Sequence, residues 1–449
     1  MEAKHSVNKV TAGALLITLG IIYGDIGTSP LYVMKAIFGN SPINSNLVLG
    51  AVSCVLWTLT LQTSIKYVWL TLQADNKGEG GIFSLYTLVK KLKKKWLIVP
   101  ALIGGSAMLA DGFITPPISI SSAIEGIKIY YPDLKTIPIV IGIILVLFFF
   151  QSYGTKTIGK FFGPIMLIWF LMLGGVGLLQ ITQVPEILKA VNPYYAYLLL
   201  TEHPEGFYVL GFVFLCTTGA EALYSDLGHC GIKNIRISWM FVKTTLALNY
   251  LGQGAFLLSH TNIQLKTFDN GVEFIQNPFF LMMPEWFIPI GIVIATLAAV
   301  IAAQALITGS FTMINEAMRL NLWPRVLVKY PSIIKGQLYI PSTNWILCIG
   351  CILVVLYFKE SSNMEAAYGL AIIMCMMATS ILLTYYMILK RFNKLIILAF
   401  VLVYSVLEVS FFIANIDKFH HGGYVSLIVA GAIAFVMTIW FLGKRIRKN

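Results

Sequence analysis

Ile21-Ile22-Tyr23-Gly24-Asp25-Ile26-Gly27-Thr28-Ser29-Pro30-Leu31-Tyr32 interrupts an otherwise apolar run from about residue 11 to 38. Two glycines and a proline within seven residues do not hold a continuous α-helix. Backbone carbonyls freed by such a break must find partners, and in lipid the partners available are protein, water or a bound ion. A carboxylate inside an apolar run costs about 2.5–3.5 kcal/mol on insertion scales, so it faces a cavity and serves a function. The stretch therefore predicts a broken membrane helix with a polar centre.

The rest of the chain agrees with a membrane setting. Of 449 residues, 57% are hydrophobic and only 12% charged, and the mean hydropathy is +0.79. That leaves too little polar surface to cover soluble domains of this length. Spans need about 20 apolar residues, and twelve runs qualify, at roughly 11–38, 47–72, 97–124, 137–153, 157–180, 206–227, 238–259, 286–314, 342–358, 363–388, 395–415 and 422–442. The N-terminus shows no cleavable signal pattern, so the first span is retained. With the N-terminus placed in the cytoplasm, 24 of the 32 basic residues fall on the inner side. This follows the positive-inside rule and puts both termini inside. The net charge of +12 then reflects attraction to anionic lipid, and nucleic acid is not required as a partner.

Span 6 repeats the theme of span 1 in Thr217-Thr218-Gly219-Ala220-Glu221-Ala222-Leu223-Tyr224. Two discontinuous helices five spans apart fit an inverted repeat, spans 1–5 mirrored by 6–10, with a substrate site between spans 1 and 6 near the midplane. The repeats cover about 11–180 and 206–388 of a single transmembrane domain, with two extra helices at about 395–442. Taken singly, each Gly or Pro could merely kink a helix; their combination with Asp25 and Glu221 favours a site. Span 3 adds Asp111, Thr115 and Ser119 at i, i+4 and i+8, and in span 6 Thr218 and Glu221 stand at i and i+3, each set on one helix face. Tyr368 sits beside Gly369 in span 10, where a lone tyrosine is more often an interface anchor or packing residue than a site group. Glu408 stands alone in span 11 and reads as a helix-packing residue.

These groups are carboxylate, hydroxyl, phenol and carbonyl, all oxygen, which argues against transition metals and for a hard cation. Several carboxylates around one monovalent cation leave negative charge over, which suits either further cations or a proton held on one carboxyl group, Glu221 or Asp25. The six cysteines lie in or just beyond apolar runs, so neither a disulfide framework nor a redox role for Cys348-x-x-Cys351 is expected. H-E-x-x-H, G-x-S-x-G and Walker A patterns are absent from the sequence, so an enzyme is not expected, and no cofactor is called for.

The string Gly24 to Tyr32 resembles the signature of the KUP/HAK/KT potassium uptake permeases. So do Gly78-Glu79-Gly80-Gly81, Ala110-Asp111-Gly112-Phe113-Ile114-Thr115-Pro116 and Gly219 to His229. The likeness spans about residues 11–442. It implies a LeuT-like fold of the amino acid–polyamine–cation superfamily, residence in the cell membrane, and uptake of K⁺ (with Rb⁺ or Cs⁺ as analogues) coupled to H⁺. Carried onto this sequence, the family's ion-binding positions are Asp25, Tyr32, Asp111, Thr115, Ser119, Thr218, Glu221 and Tyr368. Tyr32 enters the set only through the resemblance. A homodimer is a further implication, as is a cytosolic C-terminal region, which this sequence does not include. Two other readings stay open. A passive K⁺ channel would want a repeated filter such as TVGYG, which is missing. An amino-acid symporter on the same fold would want a cationic partner for a carboxylate. The Gly78–Gly81 loop lacks the Lys and Ser/Thr of a phosphate-binding loop and reads as a hinge after span 2.

Overall fold

The computed structural model describes residues 10–39, 42–153, 159–261, 264–269, 272–330 and 338–447. Lys4, Lys9, Lys156, Lys335 and Lys448, which entered the charge count, lie outside these. Each of the twelve apolar runs contains a helix. Among the described residues, nine helices are long and apolar enough to cross a membrane, or ten with the bent pair Ala12–Ile22 and Gly24–Phe38 counted as one span. The fourth run forms the shorter helix Ile137–Phe150. The seventh forms Ile232–Ser259, a 28-residue helix that carries Lys233, Arg236 and Lys243. We keep the span numbers 1–12 for these helices.

The expected all-α chain carries one addition. Strands β1, Lys266–Asp269, and β2, Val272–Ile275, pair antiparallel with Lys266 opposite Ile275. They lie in the connection between spans 7 and 8, whose polar sequence follows no helical hydrophobic period.

Helix starts follow their caps. The Thr11 hydroxyl accepts from the N–H of Ala14 at 3.1 Å, Asn44 accepts from Leu47 at 2.7 Å ahead of span 2, and Asn393 accepts from Leu395 at 2.9 Å ahead of span 11. Burial sorts the spans into layers. The most apolar stretches of spans 2, Ser45–Gln73, and 10, Ser361–Leu389, are 72% buried, against 22% and 17% for spans 11, Lys394–Ile416, and 12, Gly423–Ile446. Spans 11 and 12 thus stand at the lipid-facing periphery.

Span 1 bends by 71° at Tyr23. Its freed carbonyls are met by side chains of other helices. Trp169 Nε1 donates to Gly27 O at 2.9 Å, Gln253 Nε2 to Pro30 O at 3.0 Å, and Asn277 Nδ2 to Leu31 O at 2.7 Å. Close packing explains Gly24: a methyl there would lie 2.7 Å from the Cα of Ala302 on span 8. Span 6 breaks at Thr218, which is extended (φ −56°, ψ 143°), and Gly219, which is left-handed at φ +85°. A methyl on Gly219 would meet the backbone N of Ile26 at 2.6 Å. The two breaks therefore pack directly against each other.

Span 3 shows a smaller departure from local expectation. Pro116 and Pro117 lie inside a helix that runs unbroken over Ile98–Ile124. The Gly78–Gly81 loop packs under span 6, where a methyl on Gly80 would overlap Tyr224 O at 1.9 Å, and leads into the short helix Ile82–Val89.

Candidate functional site

The polar side chains of spans 1, 3, 6 and 10 meet where the two breaks touch. Asp25, 2% exposed, accepts from the Tyr368 hydroxyl through Oδ1 at 3.2 Å. Its Oδ2 is buried with no hydrogen-bond partner among the described residues. Asp111 on span 3 lies within electrostatic reach of Asp25 and accepts from the Thr115 hydroxyl at 2.6 Å, so helical spacing does align Asp111 and Thr115 on one face. One turn on, Ser119 Oγ stands 3.4 Å from Thr28 Oγ1.

Above this pair of carboxylates runs a chain of hydroxyls. Thr218 Oγ1 lies 2.9 Å from Ser29 Oγ and 3.0 Å from the Tyr32 hydroxyl, which also donates to Ser29 at 3.3 Å. The Tyr32 and Tyr368 rings meet edge to face with centroids 6.1 Å apart. The structure thus brings seven of the eight sequence-predicted residues together: Asp25, Tyr32, Asp111, Thr115, Ser119, Thr218 and Tyr368. Ser29 and Thr28 join them.

Glu221 is placed differently. Its Oε1 accepts from the Tyr67 hydroxyl on span 2 and its Oε2 from the Thr379 hydroxyl on span 10 at 3.2 Å. Tyr67 lies in a π-helical stretch, Leu59–Leu70, a geometry frequent at functional sites. The neighbouring residues hold a second carboxylate: Lys66 Nζ is 2.6 Å from Glu408 Oε1 and the Ser380 hydroxyl donates to the same oxygen at 2.7 Å. Lys66 also donates to Met376 O at 2.9 Å. Glu408, read from the sequence as a helix-packing residue, ties span 11 to spans 2 and 10 as one half of a buried ion pair. The available signal was a lysine and a glutamate, each unpaired within its own apolar run, which need one another's charge in lipid.

What this arrangement can do is set by its donor set. Two neighbouring carboxylates, one with an unpartnered oxygen, are ringed by hydroxyls and two phenols inside a bundle of apolar helices. A dehydrated monovalent cation is the chemistry such oxygens suit. All six cysteines are free and buried.

Fold and site together define a polytopic helical membrane protein with an acidic, oxygen-lined centre at crossed helix breaks. Residues 12–445 match the family described as K⁺ potassium transporter integral membrane domain. A Flavobacterium psychrophilum protein described as a probable potassium transport system protein Kup is 65% identical over 444 residues, covering 98% of this chain and 67% of that protein. Like-named proteins of Cytophaga hutchinsonii and Clostridium perfringens are 59% and 51% identical, covering 99% of this chain and 67% and 69% of theirs. The chain belongs to the KUP/HAK/KT family of potassium transport proteins. Among solved structures, a manganese transporter of Eremococcus coleocola aligns over 97% of this chain and 93% of its own, at 13% identity and a TM-score of 0.48. That overlap is too weak to argue from.

Proposed function

We propose that the chain is a secondary active K⁺ transporter of the cell membrane that takes up K⁺ with H⁺ by alternating access. The observation that carries this is the buried Asp25 carboxylate at the break of span 1, held by Tyr368 with one oxygen left without a partner and within electrostatic reach of Asp111. In this reading K⁺ binds among Asp25, Asp111, Thr115, Ser119, Thr218, Tyr32 and Tyr368. Two carboxylates around one monovalent ion leave one negative charge, and a proton cancels it. Asp25 and Glu221 are the groups proposed to carry that proton, Glu221 from its place between Tyr67 and Thr379.

The breaks of spans 1 and 6 support a LeuT-like arrangement in which spans 1–5 and 6–10 are inverted repeats rocking about the site. The basic-residue bias supports an orientation with both termini in the cytoplasm. One charge moving down 100 mV gains about 2.3 kcal/mol, to which a proton gradient adds.

The test is Rb⁺ uptake into proteoliposomes at fixed membrane potential, with and without an inward proton gradient. Saturable uptake that rises with the proton gradient supports symport. Uptake that follows the potential alone removes the proton, and current linear in voltage without saturation favours a channel.

A further inference from the structure

A second group of buried charges lies one helical turn beyond the central cluster, toward the proposed outer face. Lys35 of span 1 places Nζ 2.8 Å from Glu125 Oε2, at the end of span 3, and 3.1 Å from Ser361 Oγ, at the start of span 10. Glu125 also accepts from the Ser361 backbone N–H at 2.7 Å and from its hydroxyl at 2.5 Å. One carboxylate therefore ties three spans. Glu365, a turn further along span 10, lies within electrostatic reach of the same ammonium. It is 2% exposed, and its Oε1 has no hydrogen-bond partner among the described residues. The connection between spans 11 and 12 sends in Lys418, whose Nζ lies 3.2 Å from the centroid of the Phe212 ring. Burial pushes its pKa well below the usual lysine range.

The position of the group matters. Lys35 follows Tyr32 by three residues and Glu365 precedes Tyr368 by three, so the charges stack on the Tyr32–Tyr368 pair that covers the centre. A buried ion pair adds little stability over apolar packing, and charged groups kept in a membrane bundle line substrate routes. An alkylammonium and a dehydrated K⁺ carry the same charge and are similar in size, so oxygens that hold one suit the other.

We propose that Lys35 is a tethered cation seated in an outer alkali-cation site made by Glu125, Ser361 and Glu365, and that its withdrawal unseals the outer route. Withdrawal leaves Glu125 and Glu365 without their ammonium; the other lysine nearby, Lys418, interacts with Glu365, and burial drives it toward its neutral form. An arriving K⁺ replaces the lost positive charge, and the return of Lys35 expels it toward the centre. This inference rests on the K⁺-uptake reading and its orientation.

The experiment is equilibrium binding of radiolabelled Rb⁺ to the purified full chain. Lys35→Met should bind one more Rb⁺ per chain than the unaltered protein, and adding E125Q and E365Q should remove the extra ion. In Lys35→Cys, 2-aminoethyl methanethiosulfonate restores an ammonium and should also expel the extra ion. An unchanged stoichiometry in Lys35→Met, or an extra ion that survives E125Q and E365Q, overturns the proposal. Where Lys35→Met does not fold, E365Q alone decides: the external Rb⁺ concentration for half-maximal uptake should rise about threefold or more, and no change overturns the proposal. An unaltered chain that binds no Rb⁺ sinks the K⁺ reading and this one together. Normal binding with no gain in Lys35→Met sinks only this one.

Discussion

The Lys66–Glu408 pair offers a sharp test of how this bundle holds charge. Lys66 is fully buried and Glu408 is 2% exposed, and they join span 2 to the peripheral span 11 at 2.6 Å. Glu408→Gln keeps shape and Lys66→Met keeps volume, but each leaves the other charge unpaired. After Glu408→Gln, Lys66 keeps Met376 O and a neutral amide oxygen as acceptors but loses its counter-charge; after Lys66→Met, Glu408 retains Ser380 and the long 3.5 Å contact from Gln62. Removing one partner of such a pair costs about 3–5 kcal/mol, whereas replacing both with uncharged groups is often near neutral. Independent effects would therefore total about 6–10 kcal/mol, and the double variant is expected to lose no more than about 3 kcal/mol. The assay is reversible unfolding of the purified chain in mixed micelles, read for both single variants and the double. A double variant whose loss equals the sum of the singles to within about 0.5 kcal/mol would show that the two side chains do not depend on each other.

Asp111→Asn removes one of the two neighbouring charges and should raise the Rb⁺ concentration for half-maximal uptake by about tenfold, the cost of one charged contact; unchanged uptake takes Asp111 out of the site. Gly219→Ala places a methyl 2.6 Å from Ile26 N at φ +85°, adding about 1–2 kcal/mol of conformational cost to a backbone overlap. A clear fall in the melting temperature is expected, and a wild-type melting curve would contradict the packing of the two breaks. Because burial holds the Lys418 pKa well below its usual value, the unfolded chain binds the extra proton between that lowered pKa and about 10.5. Stability should therefore rise with pH through that window, and Lys418→Met should flatten the rise; equal slopes in the two proteins refute it.

The sequence by itself determined the membrane class, the helical runs and the two breaks. Hydropathy is a local property, and Gly24, Pro30 and Gly219 disrupt a helix through their own backbone chemistry whatever surrounds them. It also exposed most of the centre, since Asp25, Asp111 and Tyr368 are conspicuous in apolar surroundings and Asp111 and Thr115 share a face by helical spacing alone. Tyr32 was hidden inside the break, one polar residue among several, and came only with the family resemblance. Tertiary structure alone decided who pairs with whom. Tyr67 reaches Glu221 across 154 residues and Lys66 reaches Glu408 across 342. Such partners are selected by helix packing, which no local period encodes. The same holds for the donors Trp169, Gln253 and Asn277, ordinary residues in sequence that acquire their role from the unpaired carbonyls of a distant break. A buried charge is legible from composition, because lipid makes it costly; its partner is not, because the pairing depends on which helices meet.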